Sequence, residues 1–136
     1  MKKLFSLSRA THIKLGRRGE RLAGRLLELK GYRILVRNWR CPAGELDIVA
    51  LDGNELVFVE VKTLHARSRF RPAGNLSSRQ RRRNHTAAGF YMRSVDLYPE
   101  KFPHRFDLIE VKLDPYSIRE IRHWHRITIP KKPRIY

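Results

Sequence analysis

The stretch Gly44-Glu45-Leu46-Asp47-Ile48-Val49-Ala50-Leu51-Asp52-Gly53-Asn54-Glu55-Leu56-Val57-Phe58-Val59-Glu60-Val61-Lys62 constrains this chain more than any other. Two apolar, β-branched runs flank Asp52-Gly53-Asn54, the pattern of a tight β-hairpin. Antiparallel strands are expected over Glu45–Leu51 and Glu55–Lys62. A two-residue Gly53-Asn54 turn sets Val49 opposite Phe58 and Asp47 opposite Glu60, whereas an Asp52-Gly53 turn leaves Asp47 diagonal to Glu60. Side chains alternate faces along a strand, so either register puts Asp47, Glu60 and Lys62 on one face. Like charges facing each other destabilise a sheet. Lys62 or a divalent cation can offset them, and Mg²⁺ suits one or two carboxylates completed by water and phosphate oxygens. A salt-bridge cluster of Asp47, Glu60, Lys62 and neighbouring arginines is the structural alternative.

The same stretch is an electrostatic exception. The 136 residues carry 30 Lys and Arg against 13 Asp and Glu, a net +17. Residues 45–62 hold five acids and one base, whereas residues 63–95 hold eight bases and no acid. The overall excess points to a polyanion partner, nucleic acid before an anionic membrane. No apolar run approaches the roughly 18 residues of a membrane span. No basic amphipathic helix with a bulky apolar face is evident, which argues against a membrane partner. Met1 to Leu7 briefly imitates a signal peptide, but Arg9, His12 and Lys14 interrupt it. The single Cys41 excludes an internal disulfide and a Cys-rich zinc site, and a cytoplasmic location is expected.

The rest of the chain reads as one domain over 15–129, between a basic arm at 1–14 and a basic tail at 130–136. A helix is predicted over Gly16–Lys30 from the recurrence of Leu22, Leu26 and Leu29, with Gly31 closing it. Glu20 falls in its first turn, at the edge of the buried stripe. A strand follows over Tyr32–Asn38, then a Cys41–Gly44 turn and the hairpin. Residues 64–76 read as a loop. Ser77 with Gln80 resembles a capping box opening a helix to about Arg93. Further strands are expected over Arg105–Leu113 and Ile118–Ile129. The order α-β-β-β-α-β-β implies an α/β fold, a mixed sheet flanked by helices.

Arg67, Arg69, Arg71, Arg79, Arg81, Arg82 and Arg83 form a one-signed cluster suited to phosphate oxygens. Leu108-Ile109-Glu110-Val111-Lys112 nearly repeats Phe58-Val59-Glu60-Val61-Lys62. Its nearby acid, Asp107, is an odd number of residues from Glu110 and so faces the other way, which favours the first copy. His123 and His125 share a strand face and suit a transition metal, but no third ligand stands at useful spacing. They are read as a solvated or phosphate-facing pair. Cys41 reads as inert, and Trp39, Trp124, Phe90 and Tyr91 as core or sheet-edge aromatics.

At Gly19-Glu20, Gly44–Ala50 and Leu56–Thr63 the sequence resembles the YraN-like family. That family is similar to archaeal Holliday-junction resolvases and to the PD-(D/E)xK nuclease superfamily. The likeness spans residues 15–112 and implies a restriction-endonuclease-like fold. It further implies a metal-dependent endonuclease, with Mg²⁺ or Mn²⁺ held by Asp47, Glu60 and the Val61 carbonyl. Lys62 would orient the attacking water and Glu20 complete the acidic site. Leu46 stands where the superfamily name has proline. Arg79-Gln80 replaces the family's frequent Lys-Gln, which adds Gln80 to the expected nucleic-acid contacts. Resolvase-like relatives are often dimers, so a homodimer stays open. The sequence reading is a nuclease acting on DNA, branched DNA included, or on RNA, with DNA favoured. Its alternative is a non-catalytic nucleic-acid-binding protein of the same fold.

Overall fold

The computed structural model describes residues 2–67, 77–114 and 116–128, with side chains from residue 13 onward. Its elements run α1 (Lys2–Leu29), β1 (Arg33–Cys41), β2 (Gly44–Asp52), β3 (Glu55–His65), α2 (Ser78–Ser94), β4 (His104–Leu113) and β5 (Ile118–Trp124). The five strands form one sheet in chain order. All neighbours pair antiparallel except β3 and β4, which are parallel and joined by a crossover through α2. This is the α-β-β-β-α-β-β mixed sheet that the sequence order indicated.

The hairpin closes in the first of its two registers. Val49 pairs with Phe58 and Asp52 with Glu55, leaving Gly53 and Asn54 as the turn. Gly53 takes φ +57° there, a conformation glycine adopts without steric cost. The alternation then sorts the core into two layers. Ile48, Ala50, Val57, Val59, Ile109 and Val111 pack with Ala23 and Leu27 of α1. Val49, Leu56 and Phe58 pack with Ala87, Ala88, Tyr91 and Met92 of α2. Each large side chain so buried stabilises the fold by about 1.5–3 kcal/mol.

Several boundaries differ from expectation. Residues 2–14, set apart as a basic arm, are continuous with α1, since no glycine or proline interrupts residues 2–15. The buried stripe of α1 is centred on Ala23 and Leu27, with Leu22 and Leu26 beside it, and Leu29 is exposed. Gly31, at φ +88°, closes the helix as expected. Its N–H donates to the Glu28 carbonyl, and the Tyr32 N–H donates to the Leu27 carbonyl, a Schellman-type end. The last strand stops at Trp124 because Arg126 turns to φ +53° and its N–H donates to Asp107 Oδ1 at 3.0 Å. Arg69, Arg71, Ile129 and the 130–136 tail lie outside the described residues. No described helix is long and apolar enough to cross a membrane.

Candidate active site

The hairpin brings Asp47 of β2 and Glu60 of β3 together at the edge of the paired region. The two carboxyl groups together disfavour ionisation of the pair, the Asp47 charge adding to the effect of burial on Glu60. Asp47 Oδ2 also accepts from the Val61 N–H at 2.8 Å. The second helix holds Glu60 from the other side. Gln80 Nε2 donates to Glu60 Oε1 at 2.6 Å and Asn84 Nδ2 to Oε2 at 3.2 Å. Residues four apart share a helix face, so one face of α2 supplies both amides. Ser77 Oγ accepts from the Gln80 N–H at 3.1 Å, as a helix cap should. The Gln80 side chain, assigned in sequence to nucleic acid, turns instead to Glu60.

α1 and β1 add a third wall. A side chain at Gly19 would collide with Thr63, so glycine lets α1 approach β3 closely where Glu20 and Lys62 stand. In the orientation that satisfies its amide, Asn38 donates to Glu45 Oε1 at 3.0 Å and Glu20 Oε2 at 3.1 Å. Asn38 takes φ +50°, which asparagine tolerates better than most residues, and faces Asp47 between the Arg37–Ile48 and Trp39–Leu46 pairs. A cleft of about 290 Å³ opens here, lined by Arg17, Glu20, Arg21, Arg37, Asn38 and Asp47. Sequence reading missed Asn38, Glu45 and Asn84. The signal for Asn84 was its place four residues after Gln80, on the same helix face.

The electrostatics of this cluster are one-sided. Burial pushes the Glu60 carboxyl up, and the Asp47 charge pushes it further. Burial also raises Asp47; the Val61 N–H opposes this, while Glu20 and Glu45 add to it. Burial likewise raises Glu20, with Asn38 opposing. The charge of Lys62 favours ionised Glu60, but only weakly against these effects. Among the described residues, no ion pair joins Asp47 or Glu60 to Lys62. The Lys62 bridge at the heart of the salt-bridge cluster that the sequence allowed is therefore not formed among the described residues.

The arginines divide. Arg79 and Arg83 are exposed on α2, and Arg82 is half-buried. Arg81 reaches back to the Thr128 carbonyl at 2.7 Å and ties α2 to the segment after β5. Arg67 is exposed in the turn after β3, its N–H donating to His65 Nδ1 at 3.1 Å.

A second ionic cluster surrounds Asp107. The guanidinium of buried Arg105 donates to Asp107 at 3.1 Å, Asp52 at 3.0 Å and Glu55, and to the Tyr32 hydroxyl at 2.7 Å. Burial alone would raise Asp107, but donors from His123, the Arg126 N–H and Arg105 outweigh it and hold the carboxyl below its ordinary range. The Arg105 hydrogen bond holds Glu55 low as well. In the near-repeat, Glu110 accepts from Trp124 Nε1 at 2.6 Å on the face opposite Asp107, so the two do not share a ligand, as the spacing indicated.

Residues 19–111 match the model of the family described as Uncharacterised protein family UPF0102. A UPF0102 protein of Moorella thermoacetica is 42% identical over 104 residues, covering 76% of this chain and 85% of that protein. One from Roseiflexus castenholzii is 39% identical over 118 residues, covering 79% and 94%. One from Chlorobaculum tepidum is 40% identical over 114 residues, covering 80% and 87%.

Proposed function

The chain belongs to the UPF0102 (YraN-like) family, and we propose that it is a metal-dependent nuclease centred on Asp47 and Glu60. The observation that carries this reading is a pair of partly desolvated carboxyl groups, each acting on the other's titration, that form no ion pair with Lys62 among the described residues. A carboxylate removed from water needs a compensating charge, and we assign that charge to a bound ion.

The donor set fits a hard ion. Asp47, Glu60 and the Val61 carbonyl offer oxygen only, as Mg²⁺ or Mn²⁺ prefers. Such an ion, when bound, lowers the pKa of a coordinated water and stabilises charge developing on the phosphate. Gln80 and Asn84 fix the orientation of Glu60. Lys62 places an ammonium near Glu60, where it can orient the attacking water by donating to a phosphate oxygen. In the reaction, the water oxygen bonds to phosphorus and gives up a proton to solvent as one ester P–O bond breaks, and the leaving oxygen takes a proton from solvent. Exposed Arg79 and Arg83 supply forked donors to the backbone of the substrate, DNA ahead of RNA.

The test is a cleavage panel of branched DNA, linear duplex, single strand and RNA in Mg²⁺. Cleavage of at least one is expected, falling by about 10²–10³-fold in Asp47→Asn, as for loss of a group that organises transition-state charge. Wild-type protein inert on all four, with no Mg²⁺ or Mn²⁺ binding, would establish the non-catalytic binder instead.

A further inference from the structure

We propose that Asp107, His123 and His125 form a second metal site, selective for a borderline transition ion such as Zn²⁺ over Mg²⁺. In sequence the His-x-His pair lacked a third ligand. The fold supplies it from the neighbouring strand. Ile109 pairs with His123 in the antiparallel β4–β5 ladder, which carries His125 level with Asp107. His123 Nε2 lies 2.8 Å from Asp107 Oδ2, and His125 Nδ1 lies 3.5 Å from the same oxygen. All three ligand atoms fall within 4.8 Å of one another. The imidazoles are stacked, with centroids 3.9 Å apart and planes 25° apart, so both nitrogens face one carboxylate oxygen.

The surroundings suit an ion with three protein ligands and an open position. Asp107 is fully buried and the His123 side chain is 4% exposed, while the His125 side chain is 50% exposed. The site is thus closed beneath and open above. Asp107 Oδ1 is held by Arg105 Nε at 3.1 Å and by the Arg126 N–H at 3.0 Å. Oδ2 carries the two histidines and a longer 3.3 Å contact from Arg105 Nη2. The guanidinium charges of Arg105 and Arg126 are matched by Asp52, Glu55 and Asp107, so the ion does not enter an uncompensated positive field. Two imidazole nitrogens and one carboxylate are poor company for Mg²⁺ and good company for Zn²⁺.

One residue of the chain competes with the ion. Lys30 Nζ lies 2.8 Å from His123 Nδ1. An ammonium only donates, so Nδ1 is the acceptor and the ring proton sits on Nε2, toward Asp107. Coordination at Nε2 by the neutral ring requires its one proton on Nδ1, so the exposed Lys30 side chain must swing away. The bound ion then ties the end of β5 to β4 at the point where the chain leaves the sheet.

None of this depends on Asp47 or Glu60. The experiment titrates the metal-free full chain with Zn²⁺ against a competing chelator, and with Co²⁺ as a visible-absorption probe. One ion per chain is expected, together with the visible bands of nitrogen-ligated Co²⁺ and a rise in melting temperature. Half-exposed His125, changed to Ala, should lose at least about 100-fold in affinity, since even groups that only support a ligand are worth 10–100-fold. Lys30→Met should tighten binding by about tenfold, the weight of one charge-assisted hydrogen bond that no longer competes. Asp47→Asn should bind Zn²⁺ like the wild type. Zn²⁺ affinity unchanged in His125→Ala, weakened in Lys30→Met, or lost in Asp47→Asn would each overturn the proposal.

Discussion

Glu60 turns toward α2 and Asp107 toward Arg105 and Tyr32, although both sit on adjacent strands of one sheet. Asp107 is the more buried, yet it is held below its ordinary pKa range while Glu60 is driven above it. The difference lies in the partners. Asp107 is met by a guanidinium, an imidazole and a backbone N–H, all donors and one of them permanently charged. Glu60 is met by two neutral amides and a second carboxyl group. Burial alone does not mark a site. A buried carboxylate that its own chain already supplies with donors and a counter-charge stays ionised without an added ion, whereas one that lacks them among the described residues favours its protonated form until a cation arrives.

The sharpest way to break this comparison is to remove Arg105. Arg105→Met leaves Asp107, Asp52 and Glu55 without their shared cation and should destabilise the fold by about 3–5 kcal/mol, read by urea denaturation. A destabilisation below about 1 kcal/mol, the worth of an exposed ion pair, would mean that the two clusters are not different in kind. Glu60→Gln should act in the opposite sense in metal-free protein. It removes the like-charge contact with Asp47 and should leave stability unchanged or raised by about 1 kcal/mol, while Mg²⁺ no longer stabilises the variant.

The two clusters also impose opposite pH dependences. Asp47 and Glu60 bind protons more tightly folded than unfolded. Their share of the stability is fully present below the ordinary carboxylate pKa and is lost as pH rises through their raised values. Asp107 and Glu55 are depressed, so their share is present above the ordinary carboxylate pKa and is lost as pH falls through their lowered values. Denaturation in chelator across this range should show both losses, with Asp47→Asn reducing only the one on the rising-pH side. Smaller effects follow at the periphery. Asn84→Ala should weaken Mg²⁺ binding by about tenfold, as loss of a group that orients a ligand does. Replacing exposed Arg79 and Arg83 by Ala should lower the salt dependence of duplex binding by about 0.9 for each phosphate no longer neutralised.

The central hairpin was legible because turn chemistry and period-two alternation act over a few residues. Asp52-Gly53-Asn54 and the valines of β3 were enough to place Asp47 against Glu60. The near-repeat shows why the motif alone is not enough. Glu60 and Glu110 sit in similar sequences on neighbouring strands, but Glu60 ends beside Asp47, and Glu110 is paired across the ladder with Arg122 and capped by Trp124. Contacts made across the sheet or between layers were not legible. Asp107 is 16 residues before His123, and only the β4–β5 ladder makes them neighbours. Arg105 joins Tyr32 to the Asp52–Glu55 pair that closes the hairpin, two distant parts of the chain. The Gln80 side chain read as part of a local cap because the approach of Glu60 is a tertiary fact.

The claim that Asp47 and Glu60 await an external cation is tested most directly by calorimetric titration of the chelator-treated full chain with Mg²⁺ and Mn²⁺, beside Asp47→Asn and His125→Ala. The account requires that the wild type and His125→Ala bind one ion alike and that Asp47→Asn binds none over the same concentrations. Binding that survives in Asp47→Asn, or its absence from wild-type protein, would contradict it.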